Sequence, residues 1–145
     1  MNRPDSLEAC HRDWMEALNR TAAKQAALTE AARAAMVQAR ALADRYAPQV
    51  DALAREMDRL FDAYAVAESA AEPPESLDRR VEELQALMAR RNALLAEWGE
   101  AVAEREQAQR DRAREWAAVE AEHAIEVAVL EARRGALRGV PWPTA

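Results

Sequence analysis

Apolar and small residues recur every seven positions along two long stretches of this chain, a spacing that lays them in a stripe on one side of an α-helix. In the first stretch one row holds His11, Leu18, Gln25, Ala32, Ala39, Tyr46, Leu53 and Leu60, and another holds Trp14, Thr21, Leu28, Ala35 and Leu42. Asp5 or Ser6 suits the helix start, with Glu8 three residues after Asp5 as the return partner of a capping box. The pattern stops at "AESAAEPPESLD", where Pro73 and Pro74 cannot continue a helix and Ser76, Glu75 and Asp78 suit a new N-terminus. A second helix then repeats Val81, Met88, Leu95, Val102, Gln109, Trp116, His123, Leu130 and Leu137, with Leu77, Leu84, Trp98 and Val119 in a companion row. Arg133, Arg134 and Arg138 favour the negative end of its dipole, Gly135 or Gly139 can terminate it, and "VPWPTA" cannot extend it.

The predicted fold is all-α: a long antiparallel two-helix hairpin of coiled-coil type, in one domain. The first arm covers about residues 6–72, the turn about 73–75, the second arm about 76–137, and a flexible tail 139–145. At 1.5 Å per residue each arm is a rod of roughly 90 Å. Pairing about Pro73 and Pro74 sets residues opposite when their numbers sum to about 147. It places Trp116 over Ala31 and Ala32, Leu28 against Val119, Leu53 against Leu94 and Leu95, and Leu60 against Leu87 and Met88. Pro48, expected to kink the first arm, falls opposite Gly99. The alternative is that Pro48 splits the first helix and yields a three-helix bundle.

The two arms are unequal in the middle. Residues 103–115, "AEREQAQRDRARE", carry no Leu, Ile, Val, Met or aromatic residue, while residues 31–43 opposite, "AARAAMVQARALA", are small or apolar on nearly every side. Ala32, Ala35, Ala39 and Leu42 are expected to face the second helix. Ala27, Ala34, Val37 and Ala41 lie on the other side and are candidates for an interface with another helix. Alanine is also the strongest helix former, so helix stability alone explains such a stripe equally well.

Composition narrows the function classes. In 145 residues, 20 basic side chains stand against 26 acidic ones, and the net charge of −6 opposes general attraction to nucleic acid. The single cysteine, Cys10, cannot form an internal disulfide, and neither a signal peptide nor a membrane-spanning run is evident, so cytoplasm is the expected compartment. Nineteen Arg against Lys24 alone point to a bacterial genome rich in G and C.

Chemistry-bearing patterns are few. Glu-x-x-His occurs at Glu8/His11 and at Glu120/His123, the spacing used by di-iron carboxylate bundles. The hairpin register, however, separates the two by thirteen positions, about 20 Å along the axis. Cys10 and adjacent His11 point about 100° apart on a helix and do not form a nucleophile and base pair. Glycine-rich phosphate loops, Cys-x-x-Cys and nucleophile elbows are absent. The expectation is therefore a non-enzyme with no catalytic, cofactor-binding or metal-ligating residues and no cofactor. Trp14, Trp98 and Trp116 fall on seam rows as packing residues, whereas Trp142 lies in the proline-rich tail, either as a docking aromatic or folded back near Leu7 or Trp14.

An Ala- and Arg-rich, charged hairpin of about this length with a proline-marked turn resembles the coiled-coil stalk proteins of flagellar and virulence type III secretion, which insert into a hexameric export ATPase. The likeness covers most of the chain in outline and is carried by no diagnostic motif. The start "MNRPDSLEACHRDW" lacks the basic residues expected in that family. The resemblance implies a non-enzymatic rod that couples an ATPase to an export gate. The residues themselves lead to the expectation of a coiled-coil adaptor or scaffold, with a secretion-associated stalk or chaperone as one form, acting by contact with a protein partner and self-associating, with no nucleic acid and no transmembrane segment. Two other classes stand beside it. One is phasin-like binding to an apolar granule or lipid surface, on the texture of "AALTEAARAAMVQARALADRYAPQVDALA"; the other is a phage- or plasmid-encoded inhibitor or adaptor.

Overall fold

A computed structural model describes residues 6–139. It contains helices α1 (Leu7–Ser69) and α2 (Pro74–Leu137), packed against each other as an all-α hairpin, with no strand among the described residues. Ser6 caps α1: its Oγ accepts from the Ala9 amide at 3.1 Å, and its carbonyl accepts from the Cys10 amide at 2.9 Å. α1 runs unbroken through Pro48, so the three-helix alternative does not hold. Proline removes one amide donor from the ladder, but Tyr46 just before it is buried and Val50 just after it is half-buried, and this packing holds the helix on both sides.

The turn lies before the prolines rather than on them. Ala71 takes a left-handed conformation (φ 54°), the Glu72 amide donates to the Ala67 carbonyl and the Ala71 amide to the Glu68 carbonyl, both at 3.1 Å. These two bonds are a Schellman closure of α1, with alanine where glycine is usual. Pro73 already accepts the first bonds of α2, from the Ser76 and Leu77 amides at 2.9 and 3.2 Å. Pro74 is the first helical residue, a position where its missing amide costs nothing. The predicted turn at 73–75 is thus corrected to 70–73, and Ser76 sits within the first turn of α2 instead of ahead of it.

Contacts group the chain into two compact units. One is Ala35–Gln107, which holds the turn; the other comprises the residues up to Ala34 and from Ala108 onward. Both boundaries fall within the mismatched stretches. There, among residues 31–43, only Ala35 and Leu42 are even half-buried.

In the unit of the chain ends, Cys10, Ala17 and Leu130 form the core, with Trp14 and Leu137 packed on it. The Arg134 guanidinium lies 4.9 Å from the centre of the Trp14 ring. Asp13 pairs with Arg133 (2.5 Å), Arg20 with Glu126 (3.3 Å) and Lys24 with Glu122 (3.4 Å). Steps of seven and four up α1 match steps of seven and four down α2, as antiparallel helices require. Each partner is one residue nearer the turn than predicted, because the turn itself is earlier.

The turn unit buries Tyr46, Met57, Ala67 and Leu84. Tyr46 stacks on Trp98 with centroids 5.9 Å apart, and the groove beside it is lined by Leu53 and Leu94, one of the predicted pairings. A side-chain carbon at Gly99 would meet nothing within 4 Å, so no close approach of the helices requires glycine there. The stacked pair fills the interior there.

A fixed seven-residue spacing drifts about 20° per heptad on a straight helix. Over the nine heptads of α1 a fixed row therefore need not stay in the seam. His11 and Leu18 are exposed while Cys10 and Ala17 are buried in their place, and Ala32, Ala39 and Gln109 are exposed. The row Trp14, Thr21, Leu28, Ala35 and Leu42 stays at least half-buried throughout.

The left-handed alanine generates a prediction. Ala71→Gly removes a conformational penalty of about 1 kcal/mol. It should raise the unfolding free energy by that amount in a urea titration, without changing helix content by circular dichroism.

A candidate interaction surface

Three polar clusters bridge or close the helices. Glu72 accepts from Ser76 Oγ (2.7 Å) and, through both oxygens, from Arg80 Nε and a terminal nitrogen (3.1 and 3.2 Å). The clasp ties the turn to the first coils of α2, and the Arg80 and Ser76 donors hold the Glu72 carboxyl below the usual glutamate range. Tyr46 donates to Glu97 Oε1 at 2.8 Å; this bond to a carboxylate and burial both raise the phenol's pKa, opposed by the nearby Arg45. In the other unit Thr21 Oγ1 meets His123 Nδ1 at 2.9 Å, a polar layer flanked by the Arg20 and Lys24 ion pairs. All three do structural work: they fix register and close the turn.

Side chains with metal-binding or nucleophilic chemistry do not converge. Among the described residues no group of three or more His, Cys, Asp and Glu is placed to hold a metal ion. His11 is exposed and His123 is engaged with Thr21, so Glu8/His11 and Glu120/His123 stay separate features. Cys10 is buried with its thiol 3.7 Å from the Leu130 carbonyl, turned away from exposed His11.

The feature without a structural use is apolar surface. It includes a row that the seven-residue spacing assigns to the seam. Val81, Met88, Leu95 and Val102 are 36–41% exposed. The seam of α2 in this unit instead centres on Leu77, Leu84 and Trp98, together with Leu87, Leu94 and Ala101, all buried or half-buried. The exposed row stands about 40° around the helix from the first of these sets and about 100° from the second.

Which face it occupies follows from the groove on the opposite side. That groove, about 420 Å³, is floored by Ala52, Leu53, Ala93 and Leu94 and carries Gln49, Arg90 and Glu97 at its polar rim. On the other side of the seam, α1 presents Ala47, Val50, Ala54 and Phe61 alongside the α2 row. The first three are half-buried and Phe61 is 52% exposed. The groove side thus carries the charged pair Arg90 and Glu97, while the other side presents Phe61 and the α2 row.

Of the residues nominated from sequence, Ala27, Ala34, Val37 and Ala41 are all exposed, Val37 at 71% next to Met36 at 73%. Trp142 lies outside the described residues. Sequence reasoning passed over the face of Phe61 and Met88. The signal was present: the first half of α2 carries three apolar rows, and a helix with a single neighbour has room for two. Arg91 marks the same tension, standing in the seam row between Leu84 and Trp98 with its Nε buried and without a hydrogen-bond partner.

No protein-family model, curated protein or solved structure matches the chain. Among the described residues no helix is long and apolar enough to cross a membrane.

The clasp sets a pH dependence. A carboxyl whose folded pKa is depressed adds stability that is fully present above the ordinary value of 4.5 and is lost as pH falls through the folded value. Glu72→Gln should therefore lower the melting midpoint at pH 7, and the gap between wild type and variant should close as the pH is taken below about 4.5. A gap that stays constant down to pH 3 contradicts the clasp.

Proposed function

We propose that this protein is a non-enzymatic helical scaffold or adaptor that works by presenting helix faces to other proteins. The observation that supports this most is the apolar face of the turn unit, formed by Phe61 and the row from Val81 to Val102, which the hairpin itself covers only in part. Contiguous exposed apolar surface flanked by polar residues is the signature of a contact surface. Among the described residues no group of three or more His, Cys, Asp and Glu is placed to hold a metal ion beside it. A stalk or chaperone in a secretion apparatus is the narrower form of this proposal, with a hexameric ATPase as partner.

The test is affinity capture from a lysate of the source organism with the wild-type chain and with a Met88→Glu/Leu95→Glu variant of unchanged helicity. Proteins retained by the first and lost by the second are the expected result. Identical captures contradict the proposal. Sedimentation of the chain with lipid vesicles or polymer particles, abolished by the same substitutions, replaces it with the surface-coating reading.

A further inference from the structure

We propose that the apolar face of the turn unit is covered by a second copy of this chain, docked face to face with its helices antiparallel, so that two hairpin units make a four-helix bundle about a twofold axis. The proposal rests on the protein-contact reading above and names the partner.

Size is the first argument. From Val81 to Val102 the row is about 32 Å long at 1.5 Å per residue, and two packed helices give a face about 20 Å wide. The footprint is about 600 Å² on each copy, and burying both sides removes about 1,200 Å², which reaches the range of specific stable interfaces.

Self-complementarity is the second. A twofold interface sets a surface against itself, so large residues must meet small ones symmetrically. The α1 row is centred on Ala54, and the α2 row is centred between Met88 and Leu95. The observed register, in which Leu53 and Leu94 line one groove, puts these centres at the same height, so one axis serves both helices. It sets Phe61 of one copy over Ala47 of the other and Met88 beside Leu95. Asn92 then lies at the axis, where the two copies' amides can hydrogen-bond each other, the device by which a polar pair fixes register in an apolar seam.

Charge selects the orientation. Residues 55–90, the turn half of the unit, carry nine acidic against five basic side chains, a net of four negative charges. Parallel docking sets two such ends side by side. Antiparallel docking sets each instead against the other half of the unit, residues 35–54 and 91–107, which carries six acidic and four basic side chains, so the repulsion is smaller.

The experiment uses the full chain. Light scattering with size exclusion at 50 µM should give twice the 16.1 kDa chain mass, and Met88→Glu/Leu95→Glu should return the monomer with its helical signal intact. For orientation, Asn92→Cys and Gln85→Cys are each placed in a Cys10→Ala background and mildly oxidised. Both positions are exposed on one row, but Asn92 is at the proposed axis and Gln85 is about 10 Å from it along the helix. Disulfide-linked dimer is expected for Asn92→Cys and little for Gln85→Cys. A wild-type monomer, a dimer indifferent to the glutamates, or cross-linking at Gln85→Cys as efficient as at Asn92→Cys overturns the proposal. If the purified chain is monomeric while lysate capture still depends on Met88 and Leu95, the face serves a different protein, and only the second-copy proposal falls.

Discussion

A helix with one neighbour can bury only one stripe of its circumference, and this constraint governs the molecule. Among the described residues seven hydrophobic side chains are buried, and they include two alanines and a cysteine. Burying a large apolar side chain contributes roughly 1.5–3 kcal/mol, while ordering each residue costs about as much. The seam alone is a meagre source of stability for helices of 63 and 64 residues. Helix propensity from the many alanines, the capped start at Ser6 and the Glu72 clasp supplement it, and apolar surface is left over on the turn unit.

The mismatch between the charged stretch of α2 and the alanine-rich stretch of α1 follows from the same constraint. Where large apolar residues are missing from one arm, the other cannot be buried by it, and residues 31–43 remain exposed apart from Ala35 and Leu42. Arg105 partly fills the gap: its stem lies half-buried on the seam and its head donates to the Ala35 carbonyl at 3.0 Å. This is also where the contact map divides the chain into its two units. The division is a property of packing density, since neither Pro48 nor Gly99, the residues a sequence reader watches for a break, stands at it.

Much of the fold was legible. Two prolines and a run of small polar residues announced the turn, and the apolar rows announced two helices and their antiparallel pairing. The errors were of phase. The turn was displaced because Pro74 can be read as a helix stop or as a helix start, and hydrogen bonds from Glu72 and Ala71 decide for the start. The exposed row was assigned to the seam because seven-residue spacing marks any straight stripe, whichever neighbour it faces. Only the burial of Leu84 against the exposure of Met88 separates them. The candidate surface was half visible: Val37 and its alanine neighbours were legible as surplus, whereas Phe61 and the α2 row were hidden inside an apparently satisfied pattern.

The most direct measurement of the central claim, that this hairpin depends on covering its apolar face with a second chain, is the melting midpoint as a function of protein concentration. Association stabilises by mass action, and a hundredfold excess over the dissociation constant contributes about 2.7 kcal/mol. Circular dichroism melts between 1 and 100 µM should show a midpoint that climbs by several degrees with concentration. A midpoint that is the same at both ends of that range, with full helicity at the lower one, contradicts the account.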